Sequence, residues 1–528
     1  MDELLEALRG MQRRKAKDEA GVIAEMLKDS SAAFLQATLE LFNEVLSGQA
    51  VAPASWKKIK LVVIFKKGDP KMVGNYRPIA ILPIMYKLFS RIVCNRLLQF
   101  IIPAQGVEQA AYRKGYSTED HLLTVTLMIE KSREYNVPLW IALVDFTKAF
   151  DTIEHTPLWR ALQEQGVPEQ YVNLLKQLYS DQQGYVQAGA PSRCFPISRG
   201  VKQGDPISSL LFIAVMQACF GKLEDKWHKL SQRRSGTQFG VEIEVGCRNL
   251  TDLRFADDVV LFAQQRANIE KMLQHLSVYA AEFGLEINFD KTKILTWDSL
   301  VKGRQIVRVG EHNVTILGEM QSEKYLGRKL TLHMTHETEL DNRLAAGWAA
   351  FHGHKGELCN KFYKIKDRLK LFQSVVTPVV LYACSTWALK QTMERKLHTT
   401  WRLMLRYVFR IHRRGATNSD SGPEPWIDFV QRAARVVEDL AARYDLESWA
   451  HTYRRRKWRL ASKLANEREE RWSLKVLDWR PASHRSHQRP HTRWLDQIEQ
   501  FAGGSWRESA ADAVLWHSLE EGFALNVR

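Results

Sequence analysis

The stretch LRFADDVVLF, residues 253–262, decides the fold of this chain. Asp257 and Asp258 stand between two apolar runs, which predicts a β-hairpin with the acidic pair at its tip. A second apolar run, WIALV over residues 140–144, ends at Asp145. Carboxylates clustered at strand ends repel one another and lose hydration, a cost that a divalent cation among them would offset. Oxygen ligands of this kind suit Mg²⁺.

Each of these carboxylates also has a purely structural interpretation. A single Asp at a strand end is more often a cap or a turn former, and Asp-Asp pairs occur in ordinary loops. Three carboxylates that hold two Mg²⁺ ions can, however, activate a 3′-hydroxyl and stabilise the leaving oxygen of an in-line displacement. Phosphoryl transfer needs little else than positioning and charge neutralisation. Further segments in a fixed order along the chain favour this second interpretation.

The composition bounds the partners and the compartment. The chain has 528 residues and a formal net charge of +16, which favours a polyanionic partner. Its six cysteines are widely spaced, which excludes the usual zinc-knuckle spacings and fits a reducing compartment. The acidic N-terminus lacks the features of a signal peptide. We therefore expect a nuclear or cytoplasmic protein that is not secreted and has no membrane partner.

Seven segments in order make the chain resemble the reverse transcriptases of non-LTR (LINE-like) retrotransposons. Besides FADD at 255–258, they are NYRPI at 75–79, EQAAYRKGYST at 108–118, VDFTKAFD at 144–151, GVKQGDPIS at 200–208, GLEIN at 284–288 with Lys291 and Thr292, and YLG at 325–327. LYACSTW at 381–387 and RPHTRWLD at 489–496 are similar to blocks of that family's C-terminal region. These last two segments argue against the related mobile-intron enzymes.

The resemblance implies an α+β fold, the right-hand polymerase with fingers, a palm with an antiparallel sheet and a helical thumb. We expect a helical extension of the fingers over residues 1–54, the reverse transcriptase domain over 55–330, the thumb over 331–415 and a basic, Trp-rich helical region over 416–528. Eleven of the sixteen tryptophans follow residue 333. We expect most of them to be packing residues.

The resemblance also implies an activity, RNA-directed DNA polymerisation from a DNA 3′-hydroxyl. Asp145 and Asp257 would be the principal ligands of two Mg²⁺ ions, which Mn²⁺ can replace. Asp258 would be a looser ligand, and the carbonyl of Phe146 would assist. The expected partners are an RNA template, a DNA primer or target, and deoxynucleoside triphosphates.

Six further residues receive roles from the resemblance. Lys66 and Arg77 would clamp the triphosphate, since a tetra-anionic nucleotide needs fixed cations. Phe150 would exclude a 2′-hydroxyl, and Gln203 with Gly204 would let the backbone approach template and nucleotide. Lys291 would donate a proton to pyrophosphate. Each residue also has a purely structural interpretation. Lys66 would be a solvated turn lysine and Arg77 a donor to a nearby carbonyl. Phe150 would be a core aromatic, Gln203 and Gly204 a turn before a helix, and Lys291 an exposed lysine.

One departure keeps other functions open. KAKDEAG at residues 15–21 lacks the Gly-Pro-Asp centre of the family's Lys-Ala-x-Gly-Pro-Asp-Gly stretch. This favours a catalytically impaired, nucleic-acid-binding remnant, whereas the intact Asp145, Asp257 and Asp258 favour an enzyme. Phe150 disfavours an RNA-templated RNA polymerase. We find no endonuclease motif, so a separate endonuclease is expected to supply the nicked end.

Overall fold

The structure is a computed structural model that describes residues 1–66, 68–232, 238–297, 305–318, 321–333, 335–415, 423–467, 471–481 and 492–525. The described part contains both helices and strands, and its strands all lie before residue 331, in agreement with the α+β expectation. The strands are β1 Lys58–Phe65, β2 Tyr76–Ile81, β3 Trp140–Val144, β4 Gln182–Ala188, β5 Ala190–Pro191, β6 Phe195–Ile197, β7 Asp252–Phe255, β8 Asp258–Ala263, β9 Lys293–Thr296, β10 Ile306–Val309, β11 His312–Leu317, β12 Glu323–Tyr325 and β13 Arg328–Leu330.

The strands form three sheets, and among the described residues only helices follow Leu330. Those before residue 330 are α1 Asp2–Gly10, α2 Ala24–Lys28, α3 Ala32–Ser47, α4 Ile84–Ile101, α5 Thr118–Glu134, α6 Ala149–Thr152, α7 His155–Glu164, α8 Glu169–Tyr179, α9 Ser208–Ser231 and α10 Arg266–Ala281. Those after it are α11 Thr335–Gly353, α12 Lys355–Leu358, α13 Ile365–Leu371, α14 Thr377–Val380, α15 Gln391–Val408, α16 Trp426–Arg443, α17 Trp449–Ala465, α18 Trp472–Asp478, α19 Asp496–Ala502, α20 Trp506–Ala511 and α21 Ala513–Leu525.

A six-stranded sheet, in the order β10-β11-β9-β3-β8-β7, forms the palm. Its central strand β3 is buried at all five residues and pairs antiparallel with β8 and β9. The pairing of β9 with β11 is parallel. The palm sheet is therefore mixed, whereas the sequence predicted an antiparallel sheet. This pair is parallel because β9 and β11 do not follow each other directly; β10 comes between them and makes the hairpin with β11.

A five-stranded sheet in the fingers carries the β1–β2 hairpin. β1 pairs antiparallel with β2 and parallel with β4. The hairpin register ends with Phe65 opposite Tyr76, so Lys66 and Arg77 lie next to its open tip. Lys67, which the sequence placed in the turn after β1, lies outside the described residues.

Two sequence predictions of local structure need correction. Residues 2–47, expected to be helical, form three helices separated by non-helical turns. The alternation of apolar and polar residues in VEIEV, residues 241–245, predicts a strand, but the segment makes only a single bridge from Val241 to Leu250. The glycines on both sides, Gly240 and Gly246, have φ of 79° and 81°, and such left-handed residues interrupt an extended strand.

The helical last third packs against the palm as well as against itself. One apolar cluster joins buried residues of α5, of the palm strands β3, β7 and β8, and of α17 to α21. Nine of the eleven tryptophans after residue 333 are buried, which confirms that most are packing residues; Trp348 is half-buried and Trp426 is exposed. The domain limits drawn from the sequence stay predictions. Residues 416–422 and 482–491, the second of which holds the first three residues of RPHTRWLD, lie outside the described residues.

One segment of the C-terminal helices is both long and strongly apolar. By length and composition alone, Ile365–Thr386 could cross a membrane, and half of its most apolar stretch is buried within the protein. It is broken into α13, a π-helical turn over Phe372–Val376, α14 and a short 3₁₀ turn. Its buried side chains belong to the apolar cluster shared by α11, α15 and α17. It therefore serves as a core segment of these C-terminal helices.

The paired rings of Trp458 and Trp516 give a test of this packing. Their centroids lie 3.7 Å apart at an interplanar angle of 7°, and each indole Nε1 donates to the other residue's carbonyl. We expect Trp458→Ala to lower the free energy of unfolding by about 3–5 kcal/mol, measured by denaturant titration. The control Trp426→Ala, at a ring that is 60% exposed, should change it by less than about 0.5 kcal/mol. Equal effects would contradict the packing described.

Candidate active site

The register of the central palm strands brings the three carboxylates to one edge. Val144 pairs with Val259, so continuing that register by one residue sets Asp145 opposite Asp258. Neighbouring strands lie about 4.8 Å apart. Phe255 pairs with Asp258 across the β7–β8 hairpin, which leaves Ala256 and Asp257 as the two residues of its turn. Asp257 therefore lies beside the other two carboxylates, as the sequence predicted.

The electrostatics of the three groups agree with this closeness. Burial raises the pKa of Asp257, and the charge of Asp145 raises it further. Burial, then Asp257 and Asp145, raise the pKa of Asp258 to about 6. Both residues are exposed, so the surrounding protein removes only part of their hydration. Each carboxylate is thus charged at a cost that a nearby cation would reduce.

Residues 288–292 hold the end of the first strand. The amide of Asn288 donates to the Asp145 carbonyl at 2.8 Å, and the Asp145 amide donates to Thr292 Oγ1 at 3.3 Å. Lys291 Nζ lies 3.4 Å from Asp145 Oδ1, with both side chains exposed. The GLEIN segment with Lys291 therefore positions Asp145 and sets a cation beside it.

The backbone of Phe146 is arranged to expose its carbonyl to the cleft. Phe146 forms a bridge with Ile287 in which Thr147 donates to Glu286 and Asn288 donates to Asp145. In such a widely spaced antiparallel pair, the groups of the central residue point away from the partner strand. The Phe146 carbonyl thus points away from Ile287, on the side where β8 and its hairpin lie.

The fingers hairpin sets two cations near the carboxylates. Lys66 and Arg77 are both exposed, and the charges of both lower the pKa of Asp257 against the effect of burial. Lys66 lowers the pKa of Asp258 as well. The Lys66 amide donates to the Asn75 carbonyl at 2.9 Å, which ties it to the start of β2. The structure therefore brings Lys66 and Arg77 to the same site as the aspartates.

The segments of Phe150 and Gln203 are joined to each other. The Phe150 ring stacks on Phe212 of α9, with centroids 4.3 Å apart, and remains half-buried. The Val201 amide donates to the Phe150 carbonyl at 2.7 Å, and Gln203 Nε2 donates to Asp151 Oδ1 at 3.1 Å. Phe150 is thus a packing residue that remains partly accessible, and its role in excluding a 2′-hydroxyl stays a prediction.

Gly204 lies in close contact with the fingers. The Ala80 amide donates to the Gln203 carbonyl at 3.0 Å. Gly204 has φ of 108°, and a Cβ there would lie 3.1 Å from the Ala80 carbonyl oxygen. A left-handed backbone and a crowded neighbour both favour glycine. This segment therefore docks directly on β2, which also carries Arg77.

With this geometry described, similarity to known proteins identifies the family. The family model "Reverse transcriptase (RNA-dependent DNA polymerase)" matches residues 64–330, about half of the chain. The chain is a member of the reverse transcriptase family. The right-hand polymerase fold and the non-LTR type expected from the sequence are confirmed, because the relatives include R2, jockey and X-element retrotransposon proteins.

Three comparisons give the extent of the similarity. A transposon-derived protein of Caenorhabditis elegans is 29% identical over 49% of this chain and 87% of its own length. The polyprotein of the R2 retrotransposable element of Popillia japonica is 28% identical over 52% of this chain, which spans 38% of that polyprotein. Apo telomerase of Candida tropicalis aligns with a TM-score of 0.39 at 11% identity, over 78% of this chain and 70% of that chain.

The oxygen atoms at the site of this reverse transcriptase suit Mg²⁺ as ligands, although the side chains are not arranged as a metal site. Among the described residues, no three His, Cys, Asp or Glu side chains are arranged as a group that could hold a metal ion. Yet Asp145, Asp257, Asp258 and the Phe146 carbonyl are all oxygen donors, which Mg²⁺ prefers. The residues present therefore fit the ion in the chemistry of their donor atoms, and it is this chemistry alone that points to Mg²⁺.

The sequence reading missed a buried polar network that supports the Gln203-Gly204 segment of this reverse transcriptase. Asp205 is 4% exposed and accepts hydrogen bonds from the Tyr86 hydroxyl at 2.5 Å and from the Ser90 hydroxyl. Lys202 Nζ donates to the Tyr86 hydroxyl at 3.1 Å. Burial lowers the pKa of Lys202 to about 8, and Asp205 opposes that shift. The apolar neighbours of Lys202 and Asp205 were the only signal in the sequence.

Asp205→Asn tests this network. The change keeps the shape of the side chain but removes the charge that accepts two hydroxyl hydrogen bonds and offsets buried Lys202. We expect the free energy of unfolding to fall by about 2–3 kcal/mol in denaturant titrations. The matched control is Asp225→Asn on α9, whose exposed ion pair with Arg248 contributes about 1 kcal/mol or less. A loss no larger than that of the control would show that the network does not support the segment.

Proposed function

We propose that this chain is the RNA-directed DNA polymerase of a non-LTR retrotransposon and extends a DNA 3′-hydroxyl on an RNA template. The observation that carries the proposal is the β3–β8 register, which sets Asp145 opposite Asp258 and beside Asp257. The cations of the fingers hairpin act on the same carboxylates. The family match over residues 64–330 supports the same reaction.

In this mechanism Asp145 and Asp257 would hold two Mg²⁺ ions, with help from Asp258 and the Phe146 carbonyl. The bound ions supply activation of the 3′-hydroxyl and stabilisation of the leaving oxygen. The chain itself positions these ligands, because β3 and β8 are central strands of the palm sheet and β3 is wholly buried. A buried central strand moves little, which keeps the carboxylates at fixed positions. Mn²⁺, with the same oxygen preference, would bind the same ligands.

The nucleotide is held from the fingers. Lys66 and Arg77 bind the triphosphate, and their exposure leaves both side chains accessible to it. Gln203 and Gly204, docked on the Ala80 backbone, line the approach of template and nucleotide. Lys291, which lies beside Asp145, donates a proton to the departing pyrophosphate. The Lys291 side chain is 63% exposed, so its ammonium group is accessible to pyrophosphate.

The partners and the compartment follow from the same proposal. The template is RNA, the primer or target is DNA, and the substrates are deoxynucleoside triphosphates, a choice set by Phe150. A separate endonuclease supplies the nicked 3′ end. The cysteine spacing and the basic charge support a location in the nucleus, the cytoplasm or both.

The remnant alternative depends on the altered KAKDEAG stretch, and the structure gives that stretch a role. Asp18 accepts from the Val22 amide at 2.8 Å and from the Ile84 amide at 2.9 Å. The stretch is thus tied to the first residue of α4, which is buried. This contact favours an intact fingers domain and therefore the enzyme over the remnant.

Asp257→Asn is the direct test of the proposed function. The change removes a metal-binding charge and keeps the size of the side chain, so extension of a primed RNA template should fall at least about 100- to 1000-fold. Asp225→Asn, an exposed acidic residue of α9, is the control and should extend like the wild type. Duplex binding by a wild-type protein that does not extend would favour the remnant. Equal extension by Asp257→Asn would contradict the metal assignment.

Phe150→Ala tests the choice of sugar. If the accessible part of the ring excludes a 2′-hydroxyl, the ratio of kcat/KM for deoxynucleotides to that for ribonucleotides should fall about tenfold or more. Phe100→Ala on α4 is the control, since Phe100 is also half-buried and packs near Tyr171 with ring centroids 6.5 Å apart. An unchanged ratio for Phe150→Ala would mean that Phe150 serves packing alone.

A further inference from the structure

The outer edge of the catalytic sheet is covered by a short peptide that contains Gln109. β7 is the edge strand of the palm sheet. The Arg254 amide donates to the Glu108 carbonyl at 2.7 Å, and the Ala110 amide donates to the Arg254 carbonyl at 3.0 Å. Residues 108–110 therefore lie along β7 like an additional short parallel strand. The strand that leads to Asp257 is thus paired on both sides.

The Gln109 side chain reaches the catalytic turn itself. It is fully buried, and its Oε1 accepts from the Ala111 amide at 3.0 Å and from the Ala256 amide at 3.2 Å. Two backbone donors fix which end of the amide faces them. Within the described chain, Gln109 Nε2 is buried without a hydrogen-bond partner. Burying a half-satisfied amide is unfavourable, which indicates that the Oε1 contacts matter.

The contact falls on the one residue of the turn whose backbone needs support. Ala256 immediately precedes Asp257 and has φ of 56°, a left-handed conformation that side chains other than glycine rarely adopt. A two-residue hairpin turn usually places glycine at such a position. The bond from Gln109 is made to the amide of this strained residue. It therefore acts on the conformation that aims Asp257.

The C-terminal helices hold the same peptide from behind. Trp472 Nε1 of α18 donates to Glu108 Oε1 at 2.9 Å. Arg471 donates to the Gly115 carbonyl at 3.0 Å, and its guanidinium lies 3.8 Å from the centre of the Tyr116 ring. Asp120, at the start of α5, accepts from both Lys463 and Arg471. The segment 108–120 is thereby fixed between the palm and the C-terminal region.

We propose that Gln109 is a positioning residue of the polymerase, which holds the left-handed Ala256 turn and so aims Asp257, and that Trp472 of the C-terminal region holds Gln109 in place through Glu108. The proposal rests on the proposed polymerase function. It gives the Trp-rich region a task in the reaction that requires no contact with nucleic acid.

The first experiment compares Gln109→Met with Gln105→Met in steady-state extension of a primed RNA template. Methionine keeps the length of the side chain and removes the acceptor for the Ala256 amide. We expect kcat to fall at least tenfold, with the Kd for primed template and the KM for nucleotide within twofold. Gln105, just before this segment, is also a buried glutamine, but it donates to the Ile101 carbonyl and to Gln165, so Gln105→Met should leave kcat within twofold.

A double-mutant cycle separates positioning from general loss of structure. Ala256→Gly removes the backbone strain, so Gln109→Met should reduce kcat less in that background than in the wild type. If Gln109→Met reduces kcat by the same factor in both backgrounds, Gln109 does not act through Ala256 and the proposal is overturned. The melting temperature of each variant shows whether unfolding explains any loss.

The last comparison tests the C-terminal contact. Trp472→Phe removes the donor to Glu108 and keeps a buried ring, and we expect kcat to fall about threefold or more. Trp479→Phe, at another buried tryptophan of the same core, should leave kcat unchanged. An unchanged kcat for Trp472→Phe would overturn the role of the C-terminal region. Wild-type protein without extension would instead refute the polymerase function, whereas extension by the wild type and by Gln109→Met alike would refute only the positioning role.

Discussion

The pairing of β3 with β8 is the interaction on which the rest of this reverse transcriptase depends. It joins two stretches more than a hundred residues apart and fixes Asp145 against the hairpin of Asp257 and Asp258. Because side chains alternate along a strand, a slip of one residue would turn one carboxylate into the core. The buried residues of β3 oppose such a slip, since they would have to exchange sides. The apolar packing of the palm thus protects the geometry of a highly charged site.

The negative charges of the catalytic carboxylates are opposed by positive side chains that lie near them. Burial, and after it the neighbouring carboxylates, raise the pKa of Asp257 and Asp258, while Lys66, Arg77 and Lys291 approach from the fingers and from the loop after GLEIN. These cations lie on exposed side chains, where they can exchange partners with an anionic nucleotide. By contrast, Lys202 and Asp205 are buried and locked by Tyr86. The exposed charges are therefore accessible to substrate, whereas the buried charges stabilise the protein itself.

The C-terminal region shows how a basic, aromatic-rich sequence can be mostly structural. Its positive side chains make ion pairs with acidic groups of α5 and of its own helices, such as Lys463 with Asp120 and Arg459 with Glu520. Its tryptophans fill a core shared with the back of the palm. Net charge alone would assign these residues to nucleic acid. Their partners show that many of them join the helices to the polymerase domain.

The sequence by itself determined the strand ends, the acidic triplet, the order of the family segments and the helical character of the last third. Those features are local, because alternation, turn residues and short motifs are legible within a window of a few residues. It missed the networks of Asp205 with Tyr86, of Asp120 with Lys463, and of Gln109 with Ala256. Only the tertiary structure decided these, because a buried polar side chain is identified by the partner it meets, and each of these partners lies about 120 residues or more away in the chain.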